Sequence, residues 1–420
     1  MQVLKKVALF FLVIGLFGCN GRLTDNHISL SDQKYEIVDY DVLDESLRTE
    51  NALNVGVLLP LSGKAANIGQ GMQNAMFLAL DDLKNNKVVL KFYDTKSTGI
   101  GAKQAAEKAI AGGAQLILGP LMSDEVKNTS RVALSDDIPV ISFTTSPQVL
   151  QKGVYSIGLL NGEQIDRIVS YATAKGKTRL ALLLPDNNSG LNILKSAMMS
   201  ALNYNARVTQ VGFYNPESVD FSSIVKELSS SVDFDTVLIA DGGNRLKSMA
   251  SMFAYNDILY PDVLFLGTAA WDNTNLSKET MLYHSVYPMV SKKYGSYFTE
   301  KYKNTFGEQP KTVYSFAYDS VLLASVLSSK CQNGLDVCIT NKNGFNGVNG
   351  YFKILPTGQS YHSLDVLEVT KDGPKVVSSA NRKNENYVEN EMDIRYIPYE
   401  QLPKIYGKNS SEVISWLYNN

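Results

Sequence analysis

Beyond Asn54 the chain alternates short apolar runs with segments whose apolar residues recur every three or four positions. The stretch NVGVLLPLSG predicts a buried strand and a glycine-containing loop. Residues 68–83 carry Ala75, Met76, Ala79, Leu80 and Leu83 on one face, which predicts a helix. A strand over 88–93 and an alanine-rich helix over 101–111 follow. Next comes LILGPLMSDEVKNTSRVALSDDIPVISFTTSP: an apolar run at 116–118, a Gly119-Pro120 break, a helix opening at Ser123, a second apolar run at 139–142, and the hydroxyl cluster Thr144, Thr145, Ser146. A second copy of the rhythm predicts helices over 165–174, 191–202, 221–228 and 244–253 and strands over 179–184, 206–213, 236–240 and 263–267. Strand and helix alternating at this spacing imply parallel sheets with right-handed crossovers, and two copies imply an α/β protein of two doubly wound lobes around a central cleft.

After Tyr283 the rhythm changes. Helices are predicted over 297–306 and 315–329, and two alternating strands, 350–354 and 364–369, flank Pro356-Thr357-Gly358 as a hairpin. Cys331 and Cys338 are expected to form a disulfide in an oxidising compartment, with the reduced pair as the alternative. In the polar, tyrosine-rich last forty or so residues, Ile414, Trp416 and Leu417 are expected to dock as a short helix.

At the other end, Lys5 and Lys6 precede an apolar run over 7–17, too short to span a bilayer comfortably and suited to the core of a secretory signal. Its end, Leu16-Phe17-Gly18-Cys19, resembles the lipobox of bacterial lipoproteins, although Phe17 is bulkier than the small residue usual there. The resemblance implies cleavage after residue 18 and acylation of Cys19, and Asn20 rather than Asp implies the periplasmic side of the outer membrane. The alternative is an ordinary signal peptide that contains a cysteine. Residues 19–52 are then lipidated cysteine and tether, with a root-mean-square reach of roughly 30 Å.

Composition narrows the chemistry. With 420 residues and a formal net charge of -2 there is no basic footprint for nucleic acid. The three histidines, His27, His284 and His362, and three cysteines are too dispersed for a metal site. Gly69, Gly71, Gly99 and Gly101 complete no phosphate-binding fingerprint and no nucleophile elbow is present, so neither catalytic residues nor a cofactor is expected. What remains is binding. Ser123 stands where a helix N-terminus presents free N–H groups to a carboxylate; the alternative is a plain N-cap, with Asp124 and Glu125 complementing the dipole.

The runs NVGVLLPLSGKAANIGQGMQNAMFLAL, ILGPLMS and PVISFTTSPQVL resemble the type I periplasmic binding proteins of the leucine/isoleucine/valine group. That resemblance implies two Rossmann-like lobes joined by three crossings: 53–160 with 284–338 as lobe one, 161–283 with 339–369 as lobe two, and 370–420 as an extension. It also implies that Ser123, Thr144 and Ser146, with neighbouring Thr145, hold a ligand carboxylate. On lobe two it implies a covering aromatic within 186–190 and an acid within 265–269, where this chain has Ser189 and Ala269. Asp241 is the substitute acid, or a helix cap, and Thr268 a further cleft candidate.

A second resemblance concerns the later half. LFLGTAAWDNTNL, SFAYDSVLLASVL and GFNGVNGYFKILPTGQSYHSLDVLEV resemble the penicillin-binding protein activators, outer-membrane lipoproteins of this fold. The best-known activators carry a further helical-repeat domain ahead of the fold, for which the tether is too short. The implied function is regulation of a peptidoglycan synthase by protein contact. Trp271 and Asp272 are then candidates for the partner surface, with Tyr255, Tyr260 and Tyr283 beside them, unless Trp271 plugs the core. The alternative is a substrate-binding lipoprotein of an ABC transporter for branched-chain or other amino acids, taking an amino acid or a cell-wall fragment.

Overall fold

The computed structural model describes residues 52–83, 87–332 and 334–380. Cys19, the tether, and Ile414, Trp416 and Leu417 lie outside them. The first half of the chain builds β1 (Leu53–Leu59), α1 (Ala66–Leu83), β2 (Val88–Asp94), α2 (Gly99–Ala111), β3 (Leu116–Leu118), α3 (Ser123–Ala133), β4 (Val140–Ser142) and β5 (Val154–Ser156). It then crosses to α4 (Asn161–Ala174), β6 (Arg179–Pro185), α5 (Asn188–Asn203), β7 (Arg207–Tyr214), α6 (Ser222–Ser229), β8 (Thr236–Ile239), α7 (Gly243–Tyr255), β9 (Leu264–Leu266) and β10 (Val286–Val290). The remainder is α8 (Lys292–Phe306), α9 (Thr312–Lys330), α10 (Leu335–Ile339), β11 (Phe345–Gly347), β12 (Gly350–Ile354), β13 (Ser360–His362), β14 (Leu364–Thr370) and β15 (Gly373–Ser378).

Lobe one is a five-stranded parallel sheet in the order β2-β1-β3-β4-β5. Its strands are covered on both faces, which is why β3 and β4 read as unbroken apolar runs. The helices α8 and α9 return to this lobe: Lys301 pairs with Asp81 and Asp82, and Tyr314 lies so close to α1 that a Cβ on Gly71 would sit 2.1 Å from its ring. Only glycine admits that approach. Lobe two is a seven-stranded sheet, β15-β14-β10-β9-β8-β6-β7, parallel from β7 through β10 and antiparallel beyond. A three-stranded antiparallel sheet, β11-β12-β13, stands between the lobes.

Three boundaries differ from the expectation. β10 belongs to lobe two rather than one, because all five of its residues are buried between β9 and β14, so the second crossing falls at Ser291 and not at His284. The turn at Pro356-Thr357-Gly358 closes β12 on β13, not on the 364–369 strand; that strand, β14, pairs with β10 instead. Residues 373–378, assigned to an extension, form β15 at the edge of the lobe-two sheet.

Cys331 and Cys338 are bonded, with their Cα atoms 5.8 Å apart. A loop this short restricts the unfolded chain modestly, so replacing both cysteines with serine lowers the unfolding free energy by about 2 kcal/mol. Denaturant titration of the variant beside its parent checks this; equal midpoints would exclude it.

Candidate functional site

The C-terminal edges of the two sheets face each other across a groove of about 530 Å³. Lobe one contributes Ser123, Asp124 and Lys127 from α3, Thr145 and Ser146 from the loop after β4, and Gln148 and Val149. Opposite stand Asn161 at the start of α4 and Asn188, Ser189 and Asn192 from the first turns of α5. Three helices therefore begin at the groove. The first N–H groups of a helix have no partner within it and carry its partial positive charge, so the convergence favours an anion.

Local chemistry sets these helix ends differently. Gly119, at φ +97, turns the chain after β3 where a Cβ would lie 2.1 Å from the Leu58 carbonyl oxygen, and this turn aims α3 at the groove. Ser123 is the first residue of α3 rather than its cap; the N-cap is Met122, whose side chain accepts no capping hydrogen bond. Glu125 reaches back instead, accepting from the Met122 N–H at 3.0 Å and from the Thr95 hydroxyl at 2.7 Å, and burial raises its pKa despite those bonds. On α5 the Asn187 side chain caps, accepting from the N–H groups of Ser189 and Gly190 at 2.9 and 3.1 Å. At the rim the Gln148 side-chain amide donates to Asn192 Oδ1, joining the lobes directly.

Of the residues anticipated for the cleft, Ser123, Thr145, Ser146 and Ser189 line the groove. Three do not. Thr144 is buried, its hydroxyl accepting from the Ser146 N–H at 3.2 Å, so it shapes the loop from behind. Asp241 is engaged by the Tyr214 hydroxyl at 2.7 Å and by Arg245 at 2.8 Å, which leaves it no role as a free acceptor for an ammonium group. Thr268 is buried and caps the short helix that carries Trp271. The carboxamides Gln148, Asn161, Asn188 and Asn192 were not anticipated. A signal existed only in Asn188 and Asn192, four apart and hence on one helical face.

Trp271 takes no part in the surface anticipated around it. Trp271 is wholly buried, its indole N–H donating to the Ile239 carbonyl at 3.1 Å. Asp272 is tied to the Tyr287 hydroxyl at 3.0 Å and to Lys292 at 2.9 Å. Tyr255 and Tyr260 are exposed, while Tyr283 is half-buried with its hydroxyl on the Ser277 carbonyl. Among the described residues no cluster of His, Cys, Asp or Glu is placed to hold a metal ion, and no helix is long and apolar enough to cross a membrane.

Two wound sheets with a groove between their C-terminal edges define a bilobal solute-binding fold. The profile of the family described as periplasmic binding protein matches residues 52–374, and the chain belongs to that family. The chain is 23% identical over 191 residues to the Leu/Ile/Val-binding protein homolog 3 of Brucella melitensis, an alignment covering 43% of this chain and 52% of that protein. It thus spans about half the length of the curated relatives it matches. Among solved structures it is similar to a branched chain amino acid ABC transporter periplasmic ligand-binding protein from Burkholderia xenovorans, at TM-score 0.66, 14% identity and coverage of 79% and 96% of the two chains. The transporter substrate binding protein LivJ from Streptococcus pneumoniae, in complex with isoleucine, gives TM-score 0.59, 18% identity and coverage of 78% and 99%. These relatives are substrate-binding proteins rather than enzymes, and several are named for branched-chain amino acids.

Proposed function

We propose that the protein binds a small, polar, carboxylate-bearing solute, of the amino-acid or short-peptide class, in the groove between its lobes and presents it to a transporter. One observation carries the reading: three helix N-termini and four side-chain hydroxyls converge on a groove whose walls hold one acid, Asp124, one base, Lys127, and a single apolar side chain, Val149. The carboxylate belongs at the start of α3, beside Ser123, Thr145 and Ser146, while the amides of lobe two suit a hydrogen-bonding remainder. A branched aliphatic side chain would desolvate those amides without replacing their hydrogen bonds, at about 1–3 kcal/mol each. Polar solutes therefore bind more tightly than leucine.

Thermal unfolding against amino acids, dicarboxylates, short peptides and cell-wall peptide fragments tests this, since a ligand at a hundred times its dissociation constant adds about 2.7 kcal/mol. A panel without any shift, or leucine ranking first, would overturn the proposal. Ser123→Asp provides the second check. An acid in the first turn suits the helix dipole, yet a carboxylate about 4 Å away would be repelled by about 4 kcal/mol at an effective dielectric of 20. Titration calorimetry is expected to lose at least a hundredfold in affinity while the melting temperature holds.

The site of action is the periplasm, and acylation of Cys19 supplies the anchor; a Cys19→Ser chain that still partitions with membranes would exclude that anchor. Activation of a peptidoglycan synthase by contact has no comparable support, because its expected surface residue Trp271 lies in the core.

A further inference from the structure

The groove between the lobes carries two ionised side chains, Asp124 and Lys127, both on α3 and three positions apart. Its lobe-two wall, Asn161, Asn188, Ser189 and Asn192, is uncharged. Opposite charges at this spacing on a helix ordinarily close on each other. Here they do not. The Asp124 carboxylate lies against the start of α2, where a Cβ on Gly99 would sit 2.2 Å from its Oδ2, and its Oδ1 accepts from the Asn128 side-chain amide at 3.3 Å. Glu125 is buried and engaged by the Thr95 hydroxyl. Among the described residues the Lys127 ammonium therefore makes neither an ion pair nor a hydrogen bond.

Its place on the helix gives that free charge a direction. Four residues at 1.5 Å each put Lys127 about 6 Å along α3 from Ser123. Side chains on a helix lean back towards its N-terminus, so the long stem returns to the groove, which it lines. A solute with one carboxylate at the start of α3 leaves this ammonium to water. A second carboxylate on a short aliphatic arm meets it. An ammonium only donates, and its bond to a carboxylate is about twice as strong as one to a neutral amide. The amides of lobe two, by contrast, both donate and accept, so they do not separate an acid from its amide.

We propose that Lys127 selects a solute with two carboxylates, an acidic amino acid or a short peptide with an acidic side chain. One carboxylate lies at the start of α3 beside Ser123 and the other on the Lys127 ammonium. The inference rests on the groove being the solute site and adds the residue that tells an acidic side chain from its amide.

Titration calorimetry on the full chain with glutamate, glutamine, glutarate, alanylglutamate and alanylglutamine tests it. Glutamate or alanylglutamate is expected to bind at least tenfold more tightly than its amide counterpart, the scale of one charge-assisted hydrogen bond. The stronger of the two acids tells a free from a peptide-borne ligand. Lys127→Gln, on an exposed position, is expected to keep the melting temperature and abolish the preference, so that acid and amide bind alike; Lys127→Arg keeps the charge and the preference. An amide that binds as well as its acid, or a preference that survives Lys127→Gln, would overturn the inference and leave the solute site standing. So would acids that fail to bind while a neutral amino acid raises the melting temperature. A wider solute panel without any shift overturns the site as well. Glutarate matching glutamate upholds the second carboxylate and counts instead against the amino-acid class.

Discussion

Replacing Trp271 by alanine is expected to destabilise the protein by about 4 kcal/mol, in the range for removing a large buried aromatic. The indole is enclosed on every side. A Cβ on Gly267 would lie 2.3 Å from it, and the Tyr287 ring centroid is 6.0 Å away. Its N–H satisfies the Ile239 carbonyl at the end of β8, so truncation both opens a cavity and leaves a buried acceptor unpaired. Equilibrium unfolding in guanidinium reads the loss directly. A change below about 1 kcal/mol, the scale of an ordinary surface substitution, would place the side chain on the surface after all.

Asp319 is expected to make stability fall as pH rises through the mildly acidic range. It lies on α9, fully buried, and accepts hydrogen bonds from the Val348 N–H at 2.7 Å, the Asn349 N–H at 3.2 Å and the Asn349 side-chain amide at 2.8 Å. Burial outweighs these bonds and the favourable electrostatic contribution of His362, so the carboxyl is pushed up from 3.8 to about 6. An acid that holds its proton more tightly when folded stabilises the fold fully below about 3.8, and that contribution is lost as pH climbs through about 6. The difference corresponds to about 3 kcal/mol. Glu125 and Asp166, also raised by burial, act in the same direction. Comparing urea midpoints of the parent and Asp319→Asn across this interval isolates the residue: the parent declines more steeply. Parallel curves would show that Asp319 titrates as an ordinary carboxyl.

Much of the architecture was legible because apolar periodicity responds to burial, and burial here follows regular alternation from β1 to β9. Even the three-residue strands β3 and β4 stood out, since both faces of each are covered. Reading failed where pairing depends on partners distant in sequence. Nothing within Val286–Val290 says which sheet it joins, and a turn signal at Gly358 identifies a reversal without saying that β13 ends after three residues. The site divided in the same way. Hydroxyls beside a strand end were recognisable by position, so Ser123, Thr145, Ser146 and Ser189 meet in the groove. Of the two readings of Asp241, the substitute acid fails because Tyr214 and Arg245, from neighbouring elements, hold it, while its bond from the Gly242 N–H at the start of α7 fits the cap. Amides such as Asn161 look like any polar loop residue until the opposite lobe is in place. Trp271 had two readings of equal standing, and only the closure of β8, β9 and β10 around it decides between them.

The first and third crossings run side by side. The Ser156 N–H donates to the Gly358 carbonyl at 2.9 Å, the Ser360 hydroxyl to the Gly158 carbonyl at 2.7 Å, and the His362 N–H to Glu163 at 2.5 Å. Stitched together, these two crossings make one paired connection between the lobes instead of two separate strings, while the single-chain crossing at Ser291 stands apart from them. Across the groove rim the lobes touch again through a contact of a different kind, side chain to side chain, from Gln148 to Asn192.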